Sequence, residues 1–141
     1  MEPEYHVFAS LLISLAFFLV TKSLFASLLC LIVGIFIDTD HIIDYLIDKR
    51  RVPTIKQFFD YFYSKKYERI RVLFHSLEFT PLIFLASRWL FGLVPAYGIM
   101  AGFLSHMALD YIGNRPRPFT YFLTYRIIVG FKADMLVRTK K

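Results

Sequence analysis

Cys30 is the only cysteine in 141 residues, so an intrachain disulfide framework is excluded. Leu29 precedes it, which does not fit a lipoprotein cleavage site, and Cys30 reads as a buried packing residue. The chain has no internal repeat and no low-complexity segment. Met-Glu-Pro-Glu is acidic where the n-region of a secretory signal is basic, and no small-residue cleavage site follows. Ser76 is not framed by a Gly-x-Ser-x-Gly elbow, so no serine nucleophile is expected there. Charged residues are 20% of the chain and apolar residues 57%, with a mean hydropathy of +0.51. Soluble domains lie nearer ~45–50% apolar. These values exclude intrinsic disorder and argue against a soluble enzyme.

The apolar residues fall in long runs. From Val7 to Ile37 the single charge is Lys22. One helix over that stretch would measure about 46 Å at 1.5 Å per residue, against a hydrocarbon core of about 30 Å. It would also put Lys22 near the midplane. A hairpin turning at Thr21-Lys22-Ser23 removes both problems, with helices over 5–20 and 24–45. Val72 to Phe91 and Ala96 to Tyr111 are two further apolar segments, separated by Gly92 and Pro95. Pro81 is expected to kink the first of these. Trp89 and Tyr97 would mark one membrane face, and Tyr5, Tyr45 and Tyr111 the other.

Basic charge is unevenly spread. Lys49, Arg50, Arg51, Lys56, Lys65, Lys66, Arg69 and Arg71 form one group. Arg115, Arg117, Arg126, Lys132, Arg138, Lys140 and Lys141 form another, and the net charge is +6. In an apolar chain such clusters fix topology and touch anionic lipid, so nucleic acid is not the expected partner. Four crossings put both groups and the N-terminus on one side, which the positive-inside rule makes cytoplasmic. Ile55, Phe58, Phe59 and Phe62, and then Phe119, Phe122, Leu123 and Ile127, recur at helical spacing. Each stripe suits an interfacial helix or packing on the bundle. The expected fold is therefore all-α. It is an integral membrane bundle of about four embedded helices plus interfacial amphipathic helices, in one domain over 1–141. Its parts are a hairpin (5–47), a basic cytoplasmic segment (48–71), a second hairpin (72–113) and a basic amphipathic tail (114–141).

Under this topology His6, His41, His75 and His106 all fall at the cytoplasmic ends of their helices. Asp38, Asp40 and Asp44 surround His41, Glu78 follows His75 by three residues, and Asp110 follows His106 by four. Residues three or four apart share a helix face, so each pair can present two donors to one ion. A carboxylate at bilayer depth costs about 2.5–3.5 kcal/mol on insertion scales. Several converging there call for a compensating cation, and imidazole with carboxylate suits zinc, iron or manganese.

The order His6, Asp38-Thr39-Asp40-His41, His75-Ser76 and His106-Met107-Ala108-Leu109-Asp110 resembles the YdjM-like family of inner-membrane-associated, metal-dependent hydrolases. That family's pattern is an early His, Leu-Pro-Asp-x-Asp-His, His-Arg-Gly-x-Thr-His-Ser and a late His-x-x-x-Asp. Ile37 stands where the family has Pro, and Ile70 where its first His of the second motif falls, while Arg71 matches the adjacent Arg. The His/Asp pattern is also similar, more distantly, to zinc-dependent phospholipase C and related nucleases, which suggests the reaction class.

The resemblance and the residues together imply a multi-pass inner-membrane hydrolase with its site on the cytoplasmic side, acting on a lipid or lipid-linked phosphoester. One or two divalent ions, zinc first, would be held by His6, Asp38, Asp40, His41, His75, His106 and Asp110. Glu78, with Asp44 behind it, is the expected general base or supporting carboxylate. Arg71, Arg115 and Arg117 are the expected phosphate-binding residues. The alternative is a non-enzymatic membrane protein whose structural or regulatory metal site docks a cytoplasmic partner. A metal transporter fits less well, because transport sites lie near the midplane.

Overall fold

The computed structural model describes residues 3–63, 67–114 and 116–138. The described residues are helical, joined by turns and two isolated β-bridges. The helices are α1 (Pro3–Thr21), α2 (Leu24–Phe36), α3 (Asp40–Lys49), α4 (Ile55–Tyr63), α5 (Thr80–Phe91), α6 (Leu93–Asn114), α7 (Leu123–Ile128) and α8 (Ala133–Leu136). Short 3-10 turns occupy Ile37–Thr39 and Leu77–Phe79. The chain forms two compact units, one of residues 1–37 and 78–114, the other of 38–77 and 115–141.

The first unit contains α1, α2, α5 and α6. The break after α1 falls at Lys22, whose φ is 56°, and Ser23 caps α2 by accepting from the Ala26 amide at 3.3 Å. In α2 the small residues Ala26, Cys30 and Gly34 recur every fourth position and are buried, as are Gly98 and Gly102 of α6. A Cβ at Gly98 would overlap the carbonyl of Ala26, and one at Gly102 the carbonyl of Cys30. The two backbones therefore approach closely along a small-xxx-small seam. Ser14 ties α1 to α2 by donating to the Ser27 carbonyl at 2.5 Å.

The polarity of this unit is inverted. α1 buries His6, Ser10 and Ser14, four residues apart on one face, and exposes Phe8, Leu11, Leu12, Leu15, Leu19 and Val20. α5 buries Ser87 and exposes Leu82, Leu85 and Trp89, the last at 84%. A helix surrounded by water shows the opposite arrangement. The stretches Glu4–Thr21 and Leu24–Lys49 are long and apolar enough to cross a membrane, by length and composition.

The structure corrects three expectations. Pro81 does not kink a helix; it lies in the first turn of α5, where its missing N–H and fixed φ cost nothing. Val72 to Ser76 is not helical, its amides being drawn to Asp40 and Asp44, and His75 sits in a turn rather than at a helix start. The stretch expected as one helix over 24–45 is likewise two helices joined by the 3-10 turn.

The second unit contains α3, α4, the 67–77 segment and the tail. The tail is held to 67–77 by backbone hydrogen bonds: Ile70 N to Phe131 O (2.9 Å), Ala133 N to Glu68 O (2.9 Å) and Leu77 N to Tyr121 O (2.9 Å). Its apolar stripe, Phe119, Phe122 and Ile127, faces outward, while Arg126 is fully buried. On α4, Tyr61 is buried and Ile55 exposed. The side chain of Phe62, Lys65, Lys66 and Arg115 lie outside the described residues.

Candidate metal centre

Helix α3 carries Asp40, Asp44 and Asp48 at intervals of four, so the three carboxylates line one face. They organise the 71–75 segment. Asp40 Oδ2 accepts from the Phe74 amide at 2.8 Å and lies 3.1 Å from His75 Nδ1. Asp44 Oδ2 accepts from the amides of Arg71 and Val72 at 2.7 and 3.2 Å. Asp48 accepts from Arg71 Nη1 at 3.0 Å and from the Tyr61 hydroxyl at 2.5 Å. Asp48 follows Asp44 by four residues, the one signal the sequence carries for it, and its partners Arg71 and Tyr61 are brought to it only by the fold.

With Nδ1 turned to Asp40, the other nitrogen of His75 faces Asp38. His75 Nε2 is 3.1 Å from Asp38 Oδ1, and His41 Nε2 is 3.6 Å from the same oxygen. Two donors on one tetrahedral zinc lie about 3.4 Å apart when each bond is about 2.0–2.1 Å. Donor atoms of Asp40, His41 and His75 also lie within 4.8 Å of one another. The carboxylate–imidazole pairing at Nδ1 is the arrangement that orients metal-ligating histidines. The His75 side chain is 2% exposed, while those of Asp38 and His41 are 32% and 28% exposed. The inner edge of the cluster is thus dry and its outer edge accessible.

Asp40 is 1% exposed and its Oδ1 accepts no hydrogen bond from the described residues. A buried carboxylate oxygen left in this state is costly. A cavity of about 70 Å³ beside α3 is lined by Asp40, Asp44, Arg71, Ile43 and Phe131 among others. The oxygen and nitrogen donors, without thiolate, can hold a divalent metal of the zinc, iron or manganese kind.

The first unit gathers the remaining ligand candidates. His106 Nδ1 donates to the Gly34 carbonyl at 2.9 Å, and its Nε2 lies 3.9 Å from Asp110 Oδ2. His6 Nε2 lies 3.1 Å from Asp110 Oδ1, which also accepts from Asn114 Nδ2 at 2.8 Å. The His6 and His106 rings stack at 4.1 Å. His6, His106 and Asp110 are all buried, and His6 Nδ1 has no hydrogen-bond partner among the described residues.

Glu78 is half-buried in the 3-10 turn before α5. Asp44 is buried, and its Oδ2 is engaged by two backbone amides. Arg71 is turned to Asp48 and lies 3.7 Å from Asp44, so its guanidinium is occupied by the α3 carboxylates. Arg117 is exposed. Arg115 lies outside the described residues. No family model, curated protein or solved structure matches the chain.

Proposed function

We propose that the protein is a membrane-embedded, metal-dependent hydrolase acting on a phosphoester of a lipid or lipid-linked molecule. The reading is supported above all by the His75 geometry: one ring nitrogen held by Asp40, the other set against Asp38 beside His41. Asp38, His41 and His75 offer donors in one unit, and His6, His106 and Asp110 in the other. A bound divalent ion supplies Lewis-acid activation of water and of a phosphoryl oxygen. Asp40 fixes the tautomer of His75, and Gly34 O fixes that of His106. Glu78 is the proposed general base. Arg117, exposed and basic, is the proposed phosphate contact, while Arg71 serves instead to tie the 71–75 segment to α3. The YdjM-like family remains the proposed kinship.

The membrane reading rests on the inverted polarity of α1, α2, α5 and α6. Buried serines and histidines under an apolar outer face suit lipid as the outer solvent. Four crossings return 48–71 and 114–141 to the face of the N-terminus, where basic residues concentrate, and that face is proposed as cytoplasmic. Labelling of single cysteines introduced at Lys22 and at Lys56, in a Cys30→Ser background, should report opposite sides. The same side at both positions removes the four-crossing reading.

The rival is a structural or regulatory metal site. It requires a closed ligand set, whereas the accessible edge at Asp38 and His41 leaves room for substrate. Metal analysis of the purified protein, with a panel of phosphoesters tested with and without chelator, decides between them. Bound metal with chelator-sensitive hydrolysis supports the hydrolase. Bound metal without hydrolysis favours the rival, and absence of metal removes both.

A further inference from the structure

Arg126 looks, in the sequence, like one more basic residue of the tail. In the structure it is 0% exposed and meets neither water nor lipid. Burying a guanidinium is expensive unless its donors are used. Arg126 Nη1 donates to the Val72 carbonyl at 2.8 Å, and Nη2 donates to the Ser76 hydroxyl. Ser76 in turn donates to the Leu73 carbonyl at 2.7 Å.

These acceptors frame His75. The His75 amide closes a turn on the same Val72 carbonyl at 3.0 Å. Val72 has φ 30°, a region that a β-branched residue rarely adopts. Such a conformation persists only where its surroundings over-determine it. Here the Val72 amide is bound by Asp44 on one side, and its carbonyl by Arg126 on the other. Arg126 therefore grips the turn at both ends of the segment that carries the imidazole, at Val72 and at Ser76.

We propose that Arg126 is a positioning residue for His75: its guanidinium holds the 72–76 turn so that Nδ1 meets Asp40 and Nε2 is presented to the metal. The proposal rests on the metal-site reading above and deepens it. Ser76 then has a defined part as the hydroxyl that relays the grip of Arg126 to the Leu73 carbonyl.

The test uses the full chain in detergent micelles and Zn²⁺ or Co²⁺ as the probe. Arg126→Met should weaken metal binding about 10–100-fold, the usual effect of removing a group that orients a ligand. Arg126→Lys keeps the charge and one donor direction and should recover part of the loss. Unchanged affinity in a folded Arg126→Met variant overturns the proposal. Should Arg126→Met fail to fold, Ser76→Ala takes its place, since it removes one acceptor and leaves Arg126 and every ligand intact. A weakened affinity supports the proposal, and wild-type affinity overturns it. If the wild-type protein binds neither ion, the metal reading fails, and the positioning role is then read without metal. The His75 Nδ1–H resonance, expected in the wild type from the contact with Asp40, should be lost by exchange in Arg126→Met or Ser76→Ala. Its persistence in both overturns the proposal.

Discussion

His75 Nδ1 and Asp40 Oδ2 lie 3.1 Å apart with both residues buried, and the same carboxylate oxygen accepts from the Phe74 amide. One oxygen therefore sets both the ring orientation of a ligand candidate and the backbone beside it. Replacing Asp40 tests this coupling. Asp40→Asn keeps the shape but offers a weaker acceptor, and metal affinity should fall about 10–100-fold, measured by titration with Zn²⁺. Asp40→Ala leaves the Phe74 amide without its acceptor and should also cost about 1–3 kcal/mol of stability in a denaturation experiment. Wild-type affinity in Asp40→Asn would show that the pairing does not orient the ring.

Glu78 and Asp110 are expected to respond differently to removal of charge. Asp110→Asn should lower metal content and hydrolysis together, because an amide is a poor ligand and does not offset the charge of the ion. Glu78→Gln should keep the metal and lower turnover by about 10²–10⁴, the usual contribution of a general base. Loss of metal in Glu78→Gln would make Glu78 a ligand. Metal analysis beside single-turnover kinetics separates the two.

Gly102 faces the Cys30 carbonyl across the α2–α6 seam with no room for a Cβ. Gly102→Val should destabilise the protein by about 1–3 kcal/mol, the usual cost of overpacking. Gly98→Val, against the Ala26 carbonyl, should act in the same direction. Thermal unfolding in detergent gives the comparison. A variant as stable as the wild type would mean that the helices do not meet along this seam.

Burial, with the hydrogen bond to Asp48 added, pushes the Tyr61 hydroxyl well above the ordinary tyrosine value. Burial also raises Tyr67. The folded state thus keeps protons that the unfolded chain releases above about pH 10. This contribution to stability is complete below that pH and declines as pH rises through the folded value. Tyr61→Phe should flatten the alkaline limb of a stability–pH curve, and its tyrosinate titration should lack one late-ionising phenol. An unchanged curve would show that Tyr61 ionises alike in both states.

The helical class, the reversal at Lys22–Ser23 and the pairing of His106 with Asp110 were legible in the amino-acid sequence, because each depends on neighbours within one helical turn or on a long apolar run. The placing of Asp40 and Asp44 on one face follows from the helical period in the same way, whereas the part played by Asp48 appears only in the fold. What lay beyond the sequence depends on which surface a residue meets. Pro81 reads as a kink in a hydropathy profile, yet Asp40 and Asp44 draw the 71–75 backbone into hydrogen bonds that a continuous helix would not leave free. His75 is therefore a turn residue. α1 looks uniformly apolar along its length, and only packing reveals that its serines and histidine face inward. Arg126 is the plainest instance: sequence counts it with the exposed basic tail, while the tertiary structure buries it against Val72 and Ser76. Local pattern determines the elements and the chemistry available on each face. The partners of a buried charge are decided by residues tens of positions away, and those are supplied only by the folded chain.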